Sequence, residues 1–169
     1  KARAYEADKE QDISPDERPA YHLSARVGWM NDPNGLCRYQ GKYHLFYQYN
    51  PYRTQWGPMH WAHAVSSDLL HWETLPCALA PDQPYDNGAG CFSGNAIELP
   101  DGRHLLMYTG VRFDKHEDGK VDEYQTQCLA IGDGVDYEKL DCNPVLDHTV
   151  LPEGASKIDF RDPKLWLGS

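Results

Sequence analysis

Short runs of strand-forming residues recur along this chain, and segments rich in proline and glycine separate them into groups. The runs cover residues 43–49, 60–66, 72–75, 91–99, 104–111, 124–131 and 137–140. A further run at 158–167 opens another group, and no stretch predicts an amphipathic helix. Groups of four short strands are typical of the blades of a β-propeller. We therefore predict an all-β fold that is part of a propeller, with about two blades and the first strand of a third.

Polar residues mark the start of each group of strands. The first strands begin near Asp32, Ser93 and Asp162, at similar intervals along the chain. In a propeller the first strand of each blade lines the central channel, so these three positions are expected to converge at one end of the axis. A β-sandwich would also account for the number of strands. It does not explain why the polar residues fall at the first strand of each group.

Asp32 lies in the sequence Asn31-Asp32-Pro33-Asn34-Gly35, just before the first clear strand-forming run. Pro33 disfavours helical backbone at Asp32, and the Asn34-Gly35 pair is turn-forming and tolerates positive φ. We expect a rigid backbone at the mouth of a strand, with amide side chains on either side of the carboxylate. Taken alone, the motif also fits a solvated aspartate in a turn.

Two aspartates at one end of a channel indicate glycoside chemistry, which uses one carboxylate as nucleophile or base and one carboxylic acid as proton donor. Asp32 is the better nucleophile, since no basic residue lies close to it in sequence. Asp162 follows Arg161, and an adjacent cation favours the ionised carboxylate. Asp162 therefore suits binding of hydroxyls or stabilisation of a developing cation, and the chain offers no obvious proton donor.

Three other kinds of site are less consistent with the sequence. His60, His63 and His71 could ligate a metal, but strand alternation places His60 and His63 on opposite faces, so zinc is not expected. Ser93 lacks the G-x-S-x-G surroundings of a hydrolase nucleophile, which predicts a hydrogen-bonding role. The acidic segment 114–122 lacks the ligand spacing of an EF-hand and predicts an exposed hairpin tip.

The charge and composition of the chain limit its partners. The formal net charge is −10 and no cluster of Lys or Arg occurs, so nucleic acid and anionic membranes are poor partners. No apolar run has the length of a membrane span. The 11 tyrosines and 5 tryptophans suit faces on which sugar rings stack. The five cysteines form no C-x-x-C pair and fit reduced thiols in a cytoplasmic protein.

A set of motifs in a fixed order resembles glycoside hydrolase family 32, which comprises invertases, sucrose-6-phosphate hydrolases, inulinases and levanases. The motifs are Trp29-Met30-Asn31-Asp32-Pro33-Asn34-Gly35, Phe46-Tyr47-Gln48-Tyr49-Asn50-Pro51, Trp56-Gly57 with 60–66, Asp68-Leu69, Trp72, Phe92-Ser93-Gly94 and Arg161-Asp162-Pro163. Their order along the chain makes the resemblance specific. It implies a five-bladed β-propeller followed by a small β-sandwich, and retaining hydrolysis of β-fructofuranosides with no cofactor and no metal.

The same resemblance implies the roles of individual residues. Asp32 resembles the nucleophile of the family, and Asp162 resembles its transition-state stabiliser. The positions that resemble its substrate-binding residues are Trp29, Met30, Asn31, Gln48, Trp56, Phe92, Ser93 and Arg161. The acid/base glutamate of the family lies in a Glu-Cys pair beyond the Arg-Asp-Pro motif, and no such pair follows Pro163 here.

We therefore expect residues 1–20 to form an extended lead-in and residues 21–169 to form the N-terminal portion of the catalytic propeller. The remaining blades and the β-sandwich are expected to lie outside this chain, which makes the rest of the enzyme its partner. The predicted function is that of a glycosidase acting on a small sugar, sucrose or sucrose-6-phosphate. The alternatives are a non-catalytic fructose-binding fragment, a fructosyltransferase, or a fructan hydrolase of the same family.

Overall fold

The computed structural model describes residues 1–168, and most of them form two four-stranded antiparallel sheets. The first sheet contains β1 (Trp29–Tyr39), β2 (Lys42–Asn50), β3 (His60–Ser66) and β4 (Trp72–Leu79) in that order. The second contains β5 (Gly90–Glu98), β6 (His104–Lys115), β7 (Val121–Gly132) and β8 (Tyr137–Lys139). Each sheet is a simple up-and-down meander, the form of a propeller blade, and we call them the first and second blade. The prediction of two blades is confirmed.

The observed strands extend most of the predicted runs by a few residues. The run at 60–66 is β3 without change, whereas β4 continues past Pro76 to Leu79. Proline is accepted there because β4 is the outer strand of its blade and needs no ladder partner on its free side. The strands β6 and β7 pair as far as Lys115 and Val121, so the acidic segment is a hairpin tip, as predicted.

The expectation of an extended lead-in over residues 1–20 is wrong at its start. Residues Ala2–Lys9 form a helix, α1, which buries Ala2 and Glu6 on one side. Arg3 Nε donates to the backbone carbonyl of Cys77 in β4 at 3.0 Å, and the Cys77 N–H donates to the Glu6 carboxylate at 3.2 Å. A short charged helix is weak in isolation, so contacts with distant residues stabilise this one.

The segment 158–167 was expected to begin a third blade, but it contains no strand. A strand is defined by its ladder of hydrogen bonds with a neighbour, and this segment has no ladder partner among residues 1–168. It nevertheless lies against the second blade, held by side chains described below.

A short backbone bridge joins the first blade, at the residue before β3, to the start of β5 in the second blade. The Met59 N–H donates to the Ala89 carbonyl, and the Cys91 N–H donates to the Met59 carbonyl, both at 2.8 Å. Gly90 lies between these bonds with φ +108°, and a Cβ there would be 2.3 Å from the Met59 nitrogen. Only glycine fits this close approach. The core between the blades includes Phe46, Trp61, Leu106, Tyr108 and Cys128.

A buried ion pair joins the outer strand of the second blade to the linker between the blades. Lys139 Nζ lies 2.6 Å from the carboxylates of both Asp82 and Asp86, and Asp86 is fully buried. The Tyr108 hydroxyl donates to the same Asp86 oxygen at 2.9 Å. The buried charge of Asp86 is therefore both paired and hydrogen-bonded, which burial requires.

Three buried histidines line the opposite part of the interface between the blades. His44 Nδ1 lies 2.9 Å from His63 Nε2, and His104 Nδ1 lies 2.7 Å from the Tyr137 hydroxyl. The Tyr39 ring stacks on His104 with 4.3 Å between ring centres. Burial lowers the pKa of His63 to about 2 and that of His104 to about 3, so both side chains are neutral in the fold.

These lowered pKa values predict that the fold loses stability as the pH falls. Between the folded pKa and the ordinary histidine value of about 6.5, the unfolded chain binds more protons than the folded one. Stability should therefore decrease below about pH 6.5, by up to about 1.4 kcal/mol per pH unit for each such histidine. Melting curves of the complete protein between about pH 7 and about pH 5 measure the slope.

His104→Gln should reduce this slope by about one histidine's share. A His104→Gln slope equal to that of the wild type would show that the buried histidines do not set the acid sensitivity.

Candidate active site

Asp32 is the extra residue of a β-bulge in the inner strand of the first blade. Asn31 is opposite Gln48 and Pro33 is opposite Tyr47, so Asp32 has no counterpart on β2. The motif therefore lies within β1, which confirms that the first strand of this blade begins near Asp32, although the strand starts slightly earlier, at Trp29. Bulges redirect a side chain and are frequent beside active sites. Here the bulge leaves Asp32 exposed, and a second shift of register between Asn34 and Cys37 follows before regular pairing resumes.

Ser93 occupies the same position in the second blade. Phe92 is opposite Thr109 and Gly94 is opposite Tyr108, which makes Ser93 the extra residue on β5. The bulge is possible because Gly94 has no side chain: a Cβ there would be 1.9 Å from the Met107 carbonyl oxygen. The organisation inferred from sequence, with Asp32 and Ser93 at equivalent positions, is present as the same bulge in two inner strands.

The residues around the first bulge are oriented by a short contact within β1. Trp29 Nε1 donates to Asn31 Oδ1 at 2.8 Å, which fixes the Asn31 amide with its nitrogen free to donate elsewhere. Met30 lies on the other face of the strand and is exposed. The predicted substrate-binding residues of this motif are therefore divided between two faces of β1.

Gln48 connects β2 of the first blade to the inner strand β5 of the second. Its side chain is buried, and Nε2 donates to the carbonyl of Cys91 on β5 at 3.0 Å. Its cross-strand partner Trp61 donates from Nε1 to the carbonyl of Phe92 at 3.1 Å. This pair from the first blade therefore holds the two carbonyls that precede Ser93.

An aromatic pair lies beside the second bulge. The Trp56 ring meets the half-buried Phe92 ring edge-on, with 6.1 Å between centres and an interplanar angle of 76°. Trp56 is 54% exposed and lies in the loop between β2 and β3, which Asn50 holds by donating from Nδ2 to the Gln55 carbonyl at 3.1 Å. An exposed indole braced by a second ring is a surface on which a sugar can stack.

Asp162 is held at the same blade end through its backbone. Its N–H donates to Thr109 Oγ1 at 3.1 Å, and Thr109 is opposite Phe92. Asp162 has φ +61°, a left-handed conformation that is uncommon outside glycine although Asp adopts it more often than most residues. Its side chain is 63% exposed. Asp32 and Asp162 thus each present an exposed carboxylate, Asp32 at the bulge of β1 and Asp162 on the segment tethered to Thr109.

The expected pairing of Arg161 with Asp162 is only partly present. Arg161 Nη1 donates to Asp159 Oδ1 at 2.8 Å, whereas its Nε lies 4.0 Å from Asp162 Oδ2. The hydrogen bond with Asp159 raises the pKa of Arg161, with burial a smaller, opposing effect. Arg161 therefore remains a cation beside Asp162, but Asp159 is the carboxylate it binds most closely.

Sequence reasoning missed two buried polar residues that reach the Asp162 segment. Thr109 and Gln127 are almost completely buried, and Gln127 Nε2 donates to the carbonyl of Phe160 at 2.7 Å. A signal for them existed, since both are polar residues in the middle of otherwise buried strands. Such residues need hydrogen-bond partners, and a partner from a later segment could have been anticipated.

The described residues show neither a metal centre nor a membrane anchor of the helical kind. No group of three or more His, Cys, Asp or Glu side chains within residues 1–168 is arranged to hold a metal ion. His60 and His63 have different partners, the Pro58 carbonyl and His44. No helix in this part of the chain has the length and apolar character needed to cross a bilayer.

The family of the chain follows from its similarity to known proteins. Residues 22–169 match the glycosyl hydrolases family 32 N-terminal domain. The chain therefore belongs to glycoside hydrolase family 32, in agreement with the resemblance seen in its motifs. A sucrose-6-phosphate hydrolase of Zymomonas mobilis is 45% identical over 155 residues, which are 91% of this chain and 29% of that protein. A raffinose invertase of Escherichia coli is 47% identical, with 88% and 29% covered.

Solved structures show the same relationship. The GH32 β-fructofuranosidase of Bombyx mori superposes with a TM-score of 0.83 at 45% identity, over 99% of this chain and 33% of that one. A mutant of the same enzyme in complex with sucrose gives a TM-score of 0.84 at 44% identity, over 99% and 34%. The chain thus spans about 29% of the length of the curated relatives named above.

The tight packing at the second bulge predicts that Gly94→Ala disrupts the site. The new methyl group would overlap the Met107 carbonyl, which belongs to backbone and cannot swing away. We expect β5 and β6 to separate locally, with a fall in melting temperature of several degrees and loss of most sugar binding.

The matched control is Gly119→Ala in the exposed β6–β7 turn. Gly119 has φ +83° and no atom within 4 Å of a new Cβ, so only the backbone preference is lost, about 1–2 kcal/mol. A Gly94→Ala protein that melts like the Gly119→Ala protein and still binds sugar would contradict the assigned packing.

Proposed function

We propose that this chain is the N-terminal part of a β-fructofuranosidase, a glycosidase that hydrolyses terminal β-D-fructofuranosides with retention of configuration. The observation that carries the proposal is the bulge that exposes Asp32 on β1, supported by the tether of the Asp162 backbone to Thr109 on the second blade. Sucrose or sucrose-6-phosphate is the favoured substrate. The names of the similar proteins support that choice, and so does the Bombyx mori complex with sucrose.

In the proposed reaction the Asp32 carboxylate attacks the anomeric carbon of the fructosyl group. The carbon–oxygen bond to the leaving sugar breaks, that oxygen takes a proton from a carboxylic acid, and a fructosyl ester of Asp32 remains. Water, deprotonated by the carboxylate that this acid has become, then attacks the anomeric carbon of the ester, which releases β-fructofuranose and the Asp32 carboxylate. Attack twice on opposite faces gives retention. The acid/base residue is proposed to be a glutamate outside this chain.

Asp162 is proposed to stabilise the transition state. Positive charge develops on the fructosyl ring as the bond breaks, and a fixed carboxylate near the ring hydroxyls stabilises it most at that point. Arg161, 4.0 Å away, is proposed to limit the mutual repulsion of the two aspartates and to bind a substrate oxygen.

The remaining predicted residues are proposed to bind the sugar. Trp56 offers an exposed stacking face, and Ser93 at the second bulge offers a hydroxyl. Gln48 is buried and already binds the Cys91 carbonyl, so only its Oε1 and second N–H can serve the substrate. The other proposed binding residues are Trp29, Met30, Asn31 and Phe92.

A cytoplasmic location is part of the proposal. All five cysteines are free thiols, a state that fits a reducing compartment. Fractionation of the source cells with an antibody against the chain tests it, and enrichment outside the cytoplasmic fraction would contradict it.

The experiment that tests the function is replacement of Asp32 by Ala in the complete protein. Without the nucleophile no covalent intermediate forms, so kcat for sucrose should fall on the order of 10⁴-fold or more. Sucrose affinity measured by calorimetry should stay within a factor of about three, since the other sugar contacts remain.

The control is Asp101→Ala, which removes an exposed carboxylate from the β5–β6 turn and should leave kcat unchanged. Retention of a few per cent of kcat by Asp32→Ala, free of wild-type contamination, would remove Asp32 from the nucleophile role. Loss of affinity with unchanged kcat would make it a binding residue instead.

A further inference from the structure

We propose that Thr109 and Gln127 are positioning residues that set the backbone of Asp162. The proposal rests on the role of Asp162 suggested above, because it explains how that carboxylate is held in place. Neither residue belongs to the motifs that define the family resemblance, and neither touches the sugar in the proposed reaction.

The geometry points to this role because the two side chains and the Asp162 segment form a closed ring of hydrogen bonds. The Asp162 N–H donates to Thr109 Oγ1 at 3.1 Å, and Thr109 Oγ1 donates to Gln127 Oε1 at 2.9 Å. Gln127 Nε2 then donates to the Phe160 carbonyl at 2.7 Å. The ring therefore begins and ends on the backbone of the same segment, two residues apart.

Each group in this ring has only one possible orientation. The Phe160 carbonyl can only accept, so the Gln127 nitrogen must face it and the Gln127 oxygen must face Thr109. The Thr109 hydroxyl then donates to that oxygen and keeps a lone pair for the Asp162 N–H. Both side chains are at most 2% exposed, where a broken bond leaves a polar group without water to replace it.

Asp162 depends on this ring because little else fixes it. Its left-handed φ of +61° is a conformation that persists only where the surroundings impose it. The carboxylate is mostly exposed, and its nearest cation is 4.0 Å away. Among residues 1–168, one further hydrogen bond ties the segment to a blade: the Leu165 N–H donates to Asn95 Oδ1 at 2.9 Å. The direction of the carboxylate therefore follows from the backbone.

The first blade contains an equivalent arrangement. Gln48 and Trp61 are cross-strand partners on β2 and β3, and they bind the carbonyls of Cys91 and Phe92. Thr109 and Gln127 are cross-strand partners at the corresponding place on β6 and β7. Each blade thus has a buried pair of hydrogen-bonding side chains. One pair binds the backbone just before Ser93, and the other binds the backbone at Asp162 and Phe160.

The test is Thr109→Val in the complete protein, with sucrose as substrate. Valine keeps the shape of the side chain but removes the hydroxyl, so the ring opens at its centre. We expect kcat to fall on the order of 100-fold, the scale on which a small displacement of a catalytic group acts. KM should change by less than about threefold, because the lost contact is strongest in the transition state. Thr109→Ser restores the hydroxyl and should recover kcat to within about threefold of wild type.

Thr126→Val is the matched control. Thr126 is equally buried and lies next to Gln127, but its hydroxyl contacts the Gly110 carbonyl at 3.4 Å rather than the Asp162 segment. The same substitution there should leave kcat within about twofold while disturbing packing to a similar extent. Equal kcat losses for the two valine variants, or no recovery with serine, would overturn the proposal.

The Asp162→Asn variant separates the role of Thr109 from the role of the Asp162 carboxylate. If Thr109 acts through the Asp162 carboxylate, Thr109→Val should lower kcat by less than about threefold in that background. A full 100-fold loss there would show that Thr109 acts elsewhere. A normal kcat for Asp162→Asn alone would instead refute the role of Asp162, a failure of the proposed function that no Thr109 variant is needed to detect.

Discussion

The arrangement of this chain depends on hydrogen bonds that run from the side chains of one blade to the backbone of the next. Gln48 on β2 and Trp61 on β3 donate to the carbonyls of Cys91 and Phe92. These bonds fix the inner strand β5 of the second blade relative to the first blade. Buried hydrogen bonds of this kind are costly to leave unmade, so they tolerate little sliding between blades. Apolar packing alone is non-directional and would hold the blades together without fixing which residues meet. Together with the backbone bridge at Met59, these two hydrogen bonds set the positions of Phe92 and Ser93 on β5.

Within blades held in this way, the bulges determine which polar side chains turn out of the strand ladder. An unbroken strand alternates its side chains between two faces, so neighbouring residues cannot share one face. The extra residue at Asp32, and again at Ser93, interrupts the alternation and turns a polar side chain out of the ladder. The segment carrying Asp162 forms no ladder, and its left-handed backbone at that residue has a comparable effect. Three chain segments thereby present a polar side chain by different local means: a bulge at Asp32, a bulge at Ser93 and a left-handed backbone at Asp162.

Much of this arrangement could be predicted from sequence where the signal was local. The run 60–66 became β3 unchanged, because strand propensity and flanking turns agreed there. The family motifs predicted the site residues, and their roles stay predictions. The features that were not predicted depend on contacts between residues far apart in sequence. Helix α1 depends on the backbone of Cys77, and the role of Thr109 depends on a segment some fifty residues later. The bulge at Asp32 was not predicted because the Asn34-Gly35 pair was interpreted as a turn at the mouth of the strand.

The most direct test of the central claim is to trap the intermediate on Asp32. A β-fructofuranosyl fluoride has a leaving group that needs little protonation, so the first step should outrun hydrolysis of the ester and let it accumulate. The complete protein would be mixed with this substrate, quenched in acid, digested and analysed by mass spectrometry. We expect one fructosyl group on the peptide that contains Asp32, and none when Asp32 is replaced by Ala. A fructosyl group on Asp162, or fluoride release at the wild-type rate by the Asp32→Ala protein, would contradict the account.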